Sequence, residues 1–317
     1  MGPQFEEFTM KSRIHGHDPH TGKAYLRTWG PSRSGFSLIE LLVVMGIIAV
    51  LISILLPAMS AARQTGQSAA CLANMHRLGV STVMYLDKSE GQFFPFRLST
   101  VNGATYVNEY GAAQPRWQWF LGFELGAIID PPRDSSGPWG DSFSTRMTND
   151  YFVCPSLVGS FRYDIRNGSY GYNYQYLGNS RTDTAPPEYD NFPVSENEIT
   201  APDLTVLIAD SRGAGPGHGV HSYTLDPPRL AREKNAHRFG PGSGGIPHSP
   251  AEARHRGKAA VAFVDGHAES LTTGQLGYEL AADGVVRPVE DWAHPLPMNR
   301  LWTGRGEDAP ERRNSGR

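Results

Sequence analysis

The sequence predicts an α+β protein: a long N-terminal helix, half membrane-spanning and half amphipathic, packed on an antiparallel β-sheet domain with loop insertions. Three features of the 317 residues point there. An unbroken apolar run fills positions 36–56, and a helical apolar stripe follows it directly. The remainder alternates short β-type segments with turn-rich connections. The 35 glycines and 24 prolines favour many turns over a helical bundle. A net charge of −3 provides no basic field, so no nucleic-acid partner is expected.

The apolar run, FSLIELLVVMGIIAVLISILL, extends from Phe36 to Leu56. At about 1.5 Å per residue it covers about 31 Å, enough for a hydrocarbon core of about 30 Å. Lys23, Arg27 and Arg33 precede it with no acid after Asp18, whereas the charges beyond it are sparse and mixed. The positive-inside rule then puts residues 1–35 in the cytoplasm and everything after Pro57 outside. A cleaved secretory signal is a competing reading, since Ala58-Met59-Ser60-Ala61 offers small residues. The run, however, exceeds an h-region of about 7–15 residues. A plain membrane anchor is another. Glu40 argues against both, because a carboxylate inside the span costs up to roughly 3 kcal/mol at the centre and needs a positive partner. A neighbouring subunit can supply one.

Residues 57–90 read as an amphipathic continuation of the helix. Leu72, Met75, Leu78, Val83 and Leu86 approximate a 3.6-residue stripe, with Arg63, Gln67, Arg77 and Lys88 among the polar positions. Gly91 and Pro95 end it. Residues 91–303 form the β-rich domain. Aromatics recur at period two in Arg116–Phe120 and Tyr170–Tyr176, which predicts strands with one aromatic face each. Such a face can stack a sugar ring or a peptide, although packing on the core is the commoner use. Thr205–Ala209 reads as a buried strand ending at Asp210. Lys258–Val264 and His267–Leu271 read as a hairpin around Asp265-Gly266, a pair suited to a two-residue type I′ turn. Segments 131–139 and 183–193 are turn-rich excursions, and residues 304–317 are expected to be a disordered tail.

The two cysteines, Cys71 and Cys154, form no C-x-x-C, which excludes a zinc ribbon or a thioredoxin-like site. In an oxidising compartment they are a natural disulfide pair, worth about 4–5 kcal/mol in the chain-entropy model. Two buried free thiols are the alternative. Histidines 218, 221, 237, 248, 255 and 267 crowd the C-terminal half. His255, Asp265 and His267 can converge with Asp210 at neighbouring strand ends, a donor set for zinc or another divalent metal ion. Against this, Asp265-Gly266 serves equally well as simple turn chemistry. The glycine-rich stretches 213–219 and 240–245 lack the ending of a phosphate loop, and neither H-E-x-x-H nor G-x-S-x-G occurs. No catalytic residue is assigned and no enzyme is expected.

Gly35-Phe36-Ser37-Leu38-Ile39-Glu40, followed by Leu41-Leu42-Val43-Val44, resembles the prepilin cleavage and methylation signal of type IV pilins and type II secretion pseudopilins. The resemblance implies a pilin-like fold and cleavage by a prepilin peptidase after Gly35. It further implies an N-methylated Phe36, pairing of Glu40 with the terminal amine of an adjacent subunit, and a helix kink at Pro57. Cys71–Pro95, Phe152–Ser156 and His255 followed after nine intervening residues by Asp265-Gly266 resemble a bacterial pseudopilin-like group with a C-terminal His-nine-Asp-Gly motif. That group's second cysteine corresponds to Cys154, which implies a Cys71–Cys154 disulfide. The function so implied is structural: an inner-membrane, single-pass subunit that joins other pilin-like subunits in a secretion pseudopilus or pilus-like filament. The alternative is a non-polymerising anchored extracytoplasmic protein that binds a glycan or a metal.

Overall fold

The computed structural model describes residues 36–95, 116–126, 150–157, 169–178, 194–213, 223–228, 249–280 and 299–308, with two-residue pieces between them. The leader 1–35 with Gly35, the excursion 131–139, most of 183–193, the end of the tail and histidines 218, 221, 237 and 248 lie outside the described residues. The chain divides after Leu56 into two units.

The first unit is the start of helix α1 (Leu38–Lys88). Every described residue in it is exposed, and α1 is long and apolar enough to cross a membrane. Pro57 lies inside the helix, where it has no N–H to give the Ser53 carbonyl.

In the second unit α1 packs on one face of a four-stranded antiparallel sheet, in the order β4-β3-β2-β1. The strands are β1 (Tyr170–Tyr172), β2 (Val206–Asp210), β3 (Ala259–Phe263) and β4 (Ala268–Leu271). Both faces of β2 and β3 are buried, which explains why they read as continuous apolar runs. Ala260 and Ala262 face the core with α1, while Ala259, Val261 and Phe263 join a second core around Leu276, Tyr278 and Trp302. A bulge between Val206 and Ile208 puts Leu207 and Ile208 in the same α1-side core. The α+β class expected from the sequence is the one found.

The buried face of α1 includes Cys71, Met75, Leu78, Thr82 and Leu86, at spacings of three and four. Val83, expected in the stripe, is exposed. Beyond Lys88, Glu90 and Gly91 take left-handed φ of 56° and 75°, and the Gly91 N–H closes on the Leu86 carbonyl at 2.8 Å.

Both aromatic segments depart from the expected strands. Arg116–Phe120 opens a helix, α2 (Trp117–Glu124), whose buried Trp117 and Leu121 are four residues apart. Five residues of alternation were too few to reveal that period. Tyr170–Tyr176 is extended only through β1; a short helix, α3 (Tyr174–Leu177), follows. Asn173 ties the junction down by donating its side-chain amide to the carbonyls of Val206 (2.8 Å) and Trp302 (3.1 Å). All four tyrosines are buried, so they form core and no stacking platform.

The β3–β4 hairpin forms, with a different turn. The Gly266 N–H donates to the Phe263 carbonyl (3.0 Å) and the Phe263 N–H to the His267 carbonyl (2.9 Å). The loop is therefore Val264-Asp265-Gly266, with Gly266 left-handed at φ 92°. A type I′ geometry occurs instead at Arg256-Gly257 (φ 54° and 81°), where His255 and Lys258 exchange backbone hydrogen bonds. Residues 304–308, expected in the tail, are held in place: the Asn299 N–H donates to Asp308 and the Thr303 hydroxyl to the Glu307 carbonyl.

Gly79 on α1 meets the turn at Gly266 so closely that an added Cβ would lie 2.8 Å from the Gly266 oxygen. Gly79→Ala is expected to destabilise by about 1–3 kcal/mol through backbone overpacking. Gly66→Ala, with nothing within 4 Å, should be neutral or stabilising by up to about 1 kcal/mol. Thermal midpoints of the two variants check the contrast.

Candidate functional site

The N-terminal signal enters the described residues at Phe36, which is exposed. Glu40 sits in the first turn of α1, where its carboxylate accepts the Ser37 N–H at 2.9 Å. This contact satisfies one helix N-terminal donor.

A second constellation lies inside the β-rich unit. Cys71 comes from α1, Cys154 from the segment after a 3₁₀ turn (Asp150–Phe152), Asp210 from the end of β2 and His255 from the tight turn before β3. All four are buried, and one donor atom of each lies within 4.8 Å of the others. His255 Nε2 is 3.1 Å from Cys154 Sγ and 3.2 Å from Asp210 Oδ2; Cys71 Sγ is 3.5 Å from Asp210 Oδ1. The cysteines are free thiols, not the expected bridge.

Each of the four residues is held from outside the cluster or from its rim. The hydroxyls of Ser156 and Ser68 lie 3.3 and 3.4 Å from His255 Nδ1, on the far side of the ring from the cluster. Asp210 Oδ2 accepts the Ala260 N–H at 2.8 Å, and Arg254 Nε stands 3.7 Å from Oδ1. The Tyr170 hydroxyl is 3.3 Å from Cys71 Sγ, and Ser169 Oγ accepts the Cys154 N–H at 2.7 Å.

These contacts polarise the group. The hydrogen bond from Cys71 outweighs burial and, with that from His255, draws the Cys154 thiol down to about 5. Burial pushes the Cys71 thiol well up. Burial also opposes charge on His255, but hydrogen bonds with Asp210 and Cys154 more than offset it and raise the imidazole to about 9. A nucleophilic relay would set thiol and carboxylate on opposite ring nitrogens. Here both face Nε2, and both sulfurs are fully buried. The arrangement suits holding a cation better than attacking a substrate.

The metal set expected from the sequence is divided. Asp210 and His255 come together, while Asp265 and His267 do not join them. The type I′ turn places His255 before β3 and the Asp265 loop follows it; five strand residues at about 3.3 Å each keep the two ends roughly 16 Å apart. Asp265 pairs with His267 at 2.5 Å on the surface, where the imidazole stacks on Phe263 at 4.2 Å. What sequence reasoning missed was the union of the cysteines with Asp210 and His255, and with it the supporting Ser68, Ser156 and Arg254. Considering the two cysteines and the acid–imidazole pair as one four-donor set was the available signal.

An apolar N-terminal helix continuing onto a four-stranded antiparallel sheet is a pilin-like α+β architecture. The family described as prokaryotic N-terminal methylation motif matches residues 31–56, so the chain carries a prepilin-type methylation motif. No curated protein and no solved structure matches the chain.

Proposed function

We propose that this chain is a pilin-like structural subunit, cut after Gly35 and N-methylated at Phe36 by a prepilin peptidase. It is then assembled through α1 with other pilin-like subunits into a secretion pseudopilus or pilus-like filament. The observation that carries this reading is the span 36–56: matched by the methylation motif, exposed throughout, and holding one carboxylate, Glu40, in its first turn. A membrane covers such an apolar surface, and a neighbouring subunit's terminal amine meets the carboxylate that lipid alone would leave unpaired. The precursor then lies in the inner membrane with its leader in the cytoplasm and residues 57–317 outside.

Intact-mass spectrometry of the chain extracted from its native membranes tests the proposal. The expected mass is that of a chain beginning at Phe36 and carrying one methyl group. An uncut N-terminus overturns it and leaves a membrane-anchored binding protein as the better account. For the chain that is cut, Glu40→Ala should still give a mature chain beginning at Phe36, lighter only by the substitution itself, while abolishing cross-linking between neighbouring α1 helices.

A further inference from the structure

We propose that Cys71, Cys154, Asp210 and His255 form a closed structural site for one zinc-like divalent ion. The inference stands apart from the filament reading, since all four residues lie in the second unit. Tetrahedral bonds of about 2.3 Å to sulfur and about 2.0–2.2 Å to nitrogen and oxygen imply donor–donor edges of roughly 3.3–3.8 Å. With Asp210 Oδ2 as the oxygen donor, the separations of 3.1 Å (Cys154 sulfur–nitrogen), 3.2 Å (nitrogen–oxygen) and 3.8 Å (Cys71 sulfur–oxygen) already approach those edges.

Ligand chemistry selects the ion. Two sulfurs and an imidazole disfavour calcium and magnesium, which take oxygen donors, and favour zinc and its neighbours. Four protein donors fill a tetrahedron, which is the arrangement of a structural rather than a catalytic centre.

The surroundings support the ion's requirements. Ser68 and Ser156 lie at His255 Nδ1, where they can accept a hydrogen bond from its proton when the Nε2 lone pair is given to an ion. The Ala260 N–H also fixes Asp210, at the oxygen that faces His255. Metal ligation takes both cysteines as thiolates, so three anionic donors would then face the interior. Arg254 contributes a single positive charge and shares it with Glu252, 2.6 Å away. A divalent cation makes that burial favourable, and its binding joins α1, β2 and the turn before β3 in one folded unit.

The test uses the full-length chain in detergent, isolated without added reductant. Elemental analysis should find one zinc per chain, and intact mass should show no loss of two hydrogens. Replacement by cobalt(II) should produce sulfur-to-metal charge-transfer absorption. Cys71→Ser should weaken that band, and His255→Gln should cut metal affinity at least tenfold, while His267→Gln should change neither. Chelation should lower the thermal midpoint of the unmodified chain and zinc should restore it, a readout that does not depend on any variant folding. A metal-free chain two hydrogens light, cobalt binding without the thiolate band, or uptake indifferent to His255→Gln would each overturn the site.

Discussion

Trp117→Ala is expected to destabilise the β-rich unit by about 3–5 kcal/mol, the usual loss for a large aromatic removed from a core. Trp117 is fully buried at the start of α2, edge-on to Phe152 (6.0 Å) and tilted against Tyr172 (6.3 Å). Its indole N–H donates to the Tyr223 carbonyl at 2.8 Å, so truncation opens a cavity and strands that acceptor. Trp117→Phe fills most of the cavity and should cost less, about 1–3 kcal/mol, because the hydrogen bond is still lost. Thermal unfolding of the full chain should show a drop of roughly 6–20 °C for alanine, at about 2–4 °C per kcal/mol. Equal losses for the two variants would refute the packing argument.

Asp210→Ala should be as damaging, at about 3–5 kcal/mol, because it breaks a buried charged group from one side. The carboxylate is fully buried and receives the Ala260 N–H, with His255 at 3.2 Å and Arg254 at 3.7 Å. Its removal leaves the guanidinium with Glu252 and the Ser211 carbonyl, and the Ala260 N–H without its acceptor. Measured on chelator-treated chain, the loss is independent of any bound ion. Asp265→Ala serves as the comparison: it removes a surface carboxylate paired with His267, and such pairs contribute about 0–1 kcal/mol. A loss at Asp265 matching that at Asp210 would contradict the division between buried cluster and surface turn.

The His-nine-Asp-Gly spacing acquires a physical meaning from these positions. One strand, β3, carries His255 ahead of it toward Cys71 and Cys154, and the Asp265-Gly266 turn beyond it against Gly79. Residues 71 and 79 of α1 are about 12 Å apart along the helix axis at about 1.5 Å per residue. The motif thus holds α1 at two points. His255 contributes a contact with the Ser68 hydroxyl of α1 at 3.4 Å, and Gly266 contributes the absence of a side chain where two backbones meet.

By itself the sequence determined the features whose physics is local. The length and composition of 36–56, the charge flanks, the position of Glu40 and the stop at Gly91 require no knowledge of the rest of the chain. The same holds for the buried strand at 206–210, read from its apolar run, and for the hairpin that carries the strand at 259–263. Tertiary structure decided the rest. Whether Trp117–Glu124 coils or extends depended on burying Trp117 and Leu121 together, a contact that five residues of aromatic alternation do not report. Whether Val83 belonged to the core depended on which side of α1 met the sheet. Above all, the association of Cys71, Cys154, Asp210 and His255 arises from four segments far apart in sequence, brought together by the antiparallel order of β1, β2 and β3 beneath α1. Spacing along a chain carries no record of such a meeting; only the packed sheet and helix create it.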